Sequence, residues 1–227
     1  MAPRDLPGAP VPGWRAPGRP GPDRIEGRFA VLERFDPARH AAEIHAADTD
    51  PAVWDYMAAG PFDDAASYRA WAERSFGADP FAYAICVGGR AVGAATFLRI
   101  DPAHGVIEIG HILMTPALQR RAASSEAIML MIAWAFEAGY RRVEWKCNAL
   151  NAASRRAALR YGFSFEGIFR QHMIVKGRNR DTAWFAITDA DWPRIEAAHR
   201  AWLSAENIGE DGLQRRNLAA FMGEAGA

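Results

Sequence analysis

Met114-Thr115-Pro116-Ala117-Leu118-Gln119-Arg120-Arg121-Ala122-Ala123-Ser124-Ser125-Glu126-Ala127 carries the chain from a β-prone run into a helix-prone one. Upstream, Val106 to Met114 reads as a strand. Downstream, Ala122 to Ala138 holds neither Gly nor Pro and is apolar on most faces (Ile128, Met129, Leu130, Ile132, Trp134, Phe136), which predicts a helix packed deep against a sheet with Gly139 as its C-terminal stop. A strand, a short turn containing Pro116 and a helix aim several free backbone amides, and the positive end of the helix dipole, at one spot. From Gln119 to Ser125 that spot suits a pyrophosphate. Arg120 and Arg121 add two cations, and Ser124 or Ser125 can offer a hydroxyl.

Working outward, Tyr83–Val87 and Ala91–Ile100 form a predicted hairpin turning at Gly88 and Gly89, and a second turn at Asp101–Gly105 leads into Val106–Met114. Three consecutive antiparallel strands follow from this. Before them stand a strand near Phe29–Glu33 and helical stretches around Ala38–Ala47, Ala52–Ala58 and Ala65–Phe76. After the long helix come a strand at Arg142–Cys147, a helix opened by Asn151 as side-chain cap and closed by Gly162, and two strands near Phe165–Val175 and Thr182–Thr188 around the polar turn Lys176–Asp181. The proline-rich residues 1–24 cannot sustain a helix or a central strand and read as a tail or a wrapping arm, with Trp14 favouring the arm. Residues 25–190 form the expected domain. Residues 191–227 read as an amphipathic helical extension that covers the sheet or mediates a homodimer.

The 227 residues are 50% hydrophobic, enough for one sizeable core and one site. The 27 basic and 27 acidic side chains cancel, which disfavours nucleic acid and anionic membrane as partners despite Arg155 and Arg156. Only Cys86 and Cys147 are present, both in strand-like apolar runs. Together with the lack of an apolar signal segment or membrane span, they point to the cytoplasm.

The opening stretch resembles the acyl-CoA signature of the GNAT superfamily of N-acetyltransferases, V-x-P-x-x-[QR]-x-x-G-x-[GA], with Ser125-Glu126-Ala127 continuing it as in the RimJ/RimL branch. Both glycine positions are filled, by Ala122 and Ser124, which limits how closely phosphate oxygens approach the backbone. A second block, Asn151-Ala152-Ala153-Ser154 followed by Gly162-Phe163 and Glu166-Gly167, resembles the family's N-x-x-S...GF-x-x-EG segment in the family's order. The resemblance covers about residues 27–190. It implies an α/β (α+β type) GNAT fold with a mixed, mostly antiparallel sheet of about six or seven strands, and acetyl-CoA as cofactor. It places Gln119 to Ser125, including Ala122 and Ala123, at the pyrophosphate, Asn151 and Ser154 along the arm and thiol end, and a backbone amide of Leu113 or Met114 at the thioester carbonyl.

Acetyl transfer to an amine needs a base, a polarised carbonyl and a proton for the leaving thiolate. Glu108, 11 residues before Gln119, is similar in position to the catalytic glutamate of the histone-acetylating branch, and His111 is the alternative base. The tyrosine that many relatives use as acid is replaced by Ala158, and Tyr161 does not occupy its place, so Ser154, a water or no acid at all serves the thiolate. Trp54, Tyr56, Phe62, Trp145 and Asn148 either wall an acceptor pocket or belong to the core. Arg178 and Arg180 in the last turn either face solvent or hold a carboxylate or phosphate of the acceptor. The acceptor is a protein N-terminus or a small amine. A non-catalytic acyl-CoA-binding module on the same fold is the other reading.

Overall fold

The protein is described by a computed structural model covering residues 8–209 and 212–224. Residues 1–7 of the expected arm, and residues 210, 211 and 225–227 of the expected extension, lie outside the described residues.

Eight strands form one sheet: β1 (Arg24–Glu26), β2 (Val31–Arg34), β3 (Phe81–Val87), β4 (Arg90–Asp101), β5 (Val106–Met114), β6 (Arg142–Asn148), β7 (Ser164–Val175) and β8 (Arg178–Thr188), in the order β1-β2-β3-β4-β5-β6-β8-β7. That is one strand more than expected, because the polar three-residue β1 carries no hydrophobic alternation to announce it. All neighbours are antiparallel except β5 and β6. These two pair through only Val106↔Arg142, Ile107↔Val143 and Glu108↔Glu144, after which they diverge and leave a V-shaped gap.

The two faces of the sheet are chemically different. Ile107 and Ile109 of β5, Val143, Trp145 and Cys147 of β6, and Phe185 and Ile187 of β8 lie in the larger core with Ile128, Met131, Ile132 and Ala135 of α3 (Ala122–Glu137). Burying each large side chain there contributes roughly 1.5–3 kcal/mol. On the other face, Ala82, Ala84 and Cys86 of β3 pack with Ile44 of α1 (Pro37–Ala47), Tyr68 and Ala72 of α2 (Ala65–Ser75) and Trp54 in a second core. The alternate residues of β6 (Glu144, Lys146, Asn148) point to this second face, where their register partners are Ala186, Trp184 and Thr182.

A bulge in β5 bends the pattern where it matters. Between the pairs Thr96↔Gly110 and Ala94↔Leu113, Ala95 of β4 faces both His111 and Ile112, and His111 takes a left-handed φ of 46°. The extra residue reverses side-chain parity. Ile107 and Ile109 belong to the larger core, whereas beyond the bulge Leu113 enters the second one and Ile112 and Met114 pack on the first.

Glu126, in the second turn of α3, clamps the start of the domain. Its buried carboxylate accepts from the backbone amides of Arg28 (2.8 Å), Phe29 (2.6 Å) and Ala30 (2.8 Å). Gly27 is required beside it, since a Cβ there would stand 2.4 Å from the carboxylate. At its far end α3 stops at Gly139, with φ 95°, as expected. Then α4 (Ala152–Arg160) begins at Asn151, whose side chain accepts from the Ser154 amide. Gly162 follows α4 with φ 96°, and a Cβ on it would press Ile195 of α5 (Trp192–Leu203). The short α6 (Leu218–Glu224) leans on α5 through Arg194.

Two expected elements differ. Ala52–Ala58 is not an α-helix but a 3₁₀ turn at Pro51–Trp54 followed by irregular chain, since only one turn fits between Pro51 and Gly60. The turn Lys176–Asp181 shrinks to Lys176-Gly177, because β8 already starts at Arg178. The proline-rich segment runs along the sheet: Tyr140 donates to the Gly18 carbonyl, Tyr83 donates to that of Pro22, and Trp14 lies against Gly105.

Candidate active site

The gap between β5 and β6 opens into a cleft of about 710 Å³ that runs from the start of α3 to the polar face of β8. At the first end, Gln119, Arg120 and Ser124 line it. Arg120 adopts a left-handed φ of 59°, and the first turn of α3 has no side-chain cap. Among the described residues the amides of Arg120 and Arg121 donate to no backbone carbonyl. Gln119 is pinned by its own side chain, which donates to the Met114 carbonyl (3.0 Å), and Ser124 Oγ turns back to the Arg121 carbonyl (2.7 Å). An uncapped helix start with free amides and a cation fits a pyrophosphate even with Ala122 and Ser124 in place of glycines.

The other residues expected here divide. Arg121 lines a smaller neighbouring cavity with Ala117 and Arg90 rather than the cleft. Ser125 is buried and accepts from Arg160, away from the cleft, while Ala122 and Ala123 have only backbone to offer. Leu113 is buried in the second core, so its side chain is likewise committed.

In the middle, Asn148, Asn151, Ser154, Trp145 and Cys147 line the wall. Ser154 Oγ accepts from Trp145 Nε1 (3.0 Å), and its hydroxyl lies within hydrogen-bonding reach of the Cys147 sulfur. Burial pushes the Cys147 thiol above its ordinary value, so it stays protonated. Tyr161 also reaches the cleft wall from the turn after α4. Burial raises its phenol as well, keeping the proton on oxygen.

At the far end Glu108 is buried, with Oε2 accepting from Arg99 Nη1 (2.7 Å) and lying 2.9 Å from Lys146 Nζ. Lys146 continues to Glu144 (2.7 Å) and lies 3.8 Å from the Trp184 ring centroid, and Arg142 bridges Glu144 to Glu166. Charges alternate along the whole row. Among the described residues Glu108 Oε1 accepts no hydrogen bond. His111 sits on the bulge with Nδ1 3.4 Å from Thr96 Oγ1. That hydroxyl already gives its hydrogen to the Gly110 carbonyl, so Nδ1 is the donor and Nε2 keeps its lone pair. Burial, then the charges of Arg99 and Arg180, hold the imidazole neutral below its ordinary titration range.

Of the expected acceptor residues, Tyr56, Trp145, Asn148 and Arg180 line the cleft. Trp54 does not: it is buried in the second core, edge-on to Phe62. Phe62 packs there too, and Arg178 is exposed at the hairpin end. Arg99 and Lys146 are cleft residues that the sequence reading passed over. The alternation Val143-Glu144-Trp145-Lys146-Cys147-Asn148 was the available signal for Lys146, since period two puts its charged residues together on one face. For Arg99 no such signal exists, because it sits with φ 47° in a second irregularity, between Leu98 and Asp101.

No described helix is long and apolar enough to cross a membrane. The profile of the acetyltransferase (GNAT) domain matches residues 30–164. A GCN5-related N-acetyltransferase from Brucella melitensis is 40% identical and superposes with a TM-score of 0.90, over 94% of this chain and all of that one. A probable acetyltransferase (GNAT family) from Chromobacterium violaceum is 38% identical, with a TM-score of 0.79, over 85% of this chain and all of that one. The uncharacterized N-acetyltransferase YoaA of Bacillus subtilis is 32% identical over 97 residues, which are 42% of this chain and 54% of that protein, so the match spans about half of that relative's length. With its α/β fold, its divergent strands and its phosphate-fitting helix start, the chain belongs to the GNAT acetyltransferase family, as an N-acetyltransferase whose cofactor is acetyl-CoA.

Proposed function

We propose that the enzyme transfers acetyl to a primary amine by direct attack within a ternary complex. One observation carries this reading: a single continuous cleft joins the phosphate-fitting start of α3 to the buried Glu108 and the half-buried His111. Acetyl-CoA supplies an electrophilic thioester. Gln119, Arg120 and the first-turn amides of α3 hold its pyrophosphate, and Asn151 lies along its arm. Beyond Glu108 the β6-facing edge of β5 has no strand partner, which leaves a backbone donor near Met114 for the carbonyl. Glu108 Oε1 receives the ammonium and takes its proton, with His111 Nε2 as the second acceptor on the same wall. The Ser154 hydroxyl, or a water, returns a proton to the thiolate.

Initial rates at varied acetyl-CoA and amine distinguish this from a covalent route through Cys147. Intersecting double-reciprocal lines and an active Cys147→Ser variant support direct attack. Parallel lines, with activity lost in that variant, count against it. Saturable acetyl-CoA binding with no thiol release over a broad amine panel would leave an acyl-CoA-binding module.

Ser125-Glu126-Ala127 supports the RimJ/RimL-like reading, with a protein N-terminus as acceptor; a small amine is the other choice. The transferase domain is taken as residues 25–190, with the arm and the extension as attachments. Two buried free thiols suit the cytoplasm.

A further inference from the structure

Arg180 is out of keeping with the rest of the charged row. At the acceptor end of the cleft, Arg99 and Lys146 are both committed to Glu108 Oε2. Arg180 also lines this end, yet among the described residues its guanidinium makes no ion pair and no hydrogen bond, and its Nε is sealed from solvent without a partner. Burial lowers its affinity for a proton; Cys147 and the Glu108 carboxylate oppose that only in part, and the charge of Arg99 adds to it. An unpaired, partly buried guanidinium is destabilising, and an apolar side chain at this position would avoid that cost.

The cleft as a whole is lined by four cationic side chains (Arg99, Arg120, Lys146, Arg180) against the one carboxylate of Glu108, although the chain has no net charge. Arg120 belongs to the pyrophosphate end. Arg180 belongs to β8 and lies close enough to Glu108, Arg99 and His111 for their charges to act on one another, which puts it at the acceptor end. A fork of parallel N–H donors is matched by the planar oxygens of a carboxylate or the tetrahedral oxygens of a phosphate.

Resting on the transferase reading above, we propose that the acceptor is a zwitterionic amine, with its ammonium at Glu108 and an acid group, carboxylate or phosphate, on the Arg180 guanidinium. A neutral amine leaves Arg180 unpaired on binding and is discriminated against for that reason. Arg178, two residues earlier, has no part in this.

The test uses the full chain with acetyl-CoA and three matched series of acceptors: ω-amino acids from glycine to 6-aminohexanoate, their amides, and the corresponding ω-aminoalkyl phosphonates. At the chain length that spans the two groups, kcat/KM for an acid should exceed that for its amide at least tenfold, and the carboxylate and phosphonate arms show which acid is preferred. Arg180→Ala should raise KM for the acids about 10- to 100-fold with unchanged KM for acetyl-CoA, bringing the acid-to-amide ratio near one. Arg180→Lys should keep part of the preference, since it restores the charge without the fork. Melting curves check that both variants are folded. Equal kcat/KM for acids and amides, or an acid KM unmoved in Arg180→Ala, overturns the assignment while the transferase reading stands. Acetyl-CoA binding without turnover of any series overturns the transferase reading instead. Calorimetric titration of the same acids into CoA-saturated protein then decides the anion site: heat specific to acids and lost in Arg180→Ala supports it, and no such heat overturns it.

Discussion

Glu108 Oε2 is shared by two cations while Oε1 has no partner among the described residues, so its amide analogue separates chemistry from scaffolding. Glu108→Gln is expected to lower kcat by about 10²- to 10⁴-fold with little change in acetyl-CoA KM. A melting curve on the same variant registers the weakened pairing to Lys146 and Arg99. If the rate is unchanged in a folded variant, Glu108 is a structural charge. His111 is held neutral by burial and by Arg99 and Arg180, so a rate that depends on its lone pair has its acid limb shifted below the ordinary histidine range. Losing that acid limb in His111→Gln assigns it to the imidazole, and retaining it rules the imidazole out. His199 acts on stability rather than rate. Its Nε2 meets the Tyr161 carbonyl (3.0 Å), its Nδ1 is buried without a partner, and burial drives its pKa down to about 4. The unfolded chain takes a proton near pH 6.5 that the folded one refuses until about 4. The contribution is therefore full above pH 6.5 and is lost as pH falls through that window, on the order of 3 kcal/mol in total. Burial shifts His40 and His111 in the same direction. Urea midpoints at pH 7.5 and 4.5 should show a smaller difference in His199→Gln than in the parent protein.

Among the elements, α3 carries two duties, one at each side of its first two turns. Its uncapped start faces the cleft, and Glu126 holds the backbone of residues 28–30. Glu126→Ala leaves three amides without an acceptor and should cost about 3–5 kcal/mol, a fall in melting temperature of roughly 10 °C. A fall of only a degree or two would mean that water replaces the carboxylate. Arg120→Ala should raise acetyl-CoA KM about 3- to 10-fold, from one exposed phosphate contact. The strands, the long helix and the Asn151 cap were legible because period two, period 3.6 and capping chemistry are local. What was not legible is set by the partner strand. The bulge at His111 reverses the parity of everything after it, and the two-residue turn at Lys176-Gly177 leaves Arg178 exposed at the hairpin end, while Arg180, two residues further along β8, reaches the cleft. Trp54 and Phe62 went to the second core because α1 and α2 roof that half of the sheet, which no spacing in their own segment announces.

The whole molecule is held at its margins by contacts far apart in sequence. The proline-rich segment supplies carbonyls at Gly18 and Pro22 for two buried tyrosines, and its Trp14 covers Gly105. Deleting residues 1–22 should lower the melting temperature by about 5 °C, from two lost hydrogen bonds and uncovered apolar surface; an unaltered curve would show the segment to be energetically free. On the Glu126 clamp, donors and acceptor are 96 to 98 residues apart, and the Arg28 side chain reaches the Ile208 carbonyl across 180 residues. On a ribosome adding about 5–20 residues each second, the amides of residues 28–30 wait roughly 5–20 s for the carboxylate that satisfies them. Nascent chains halted before residue 126 should therefore leave their first strands open to protease, and those released after it should not.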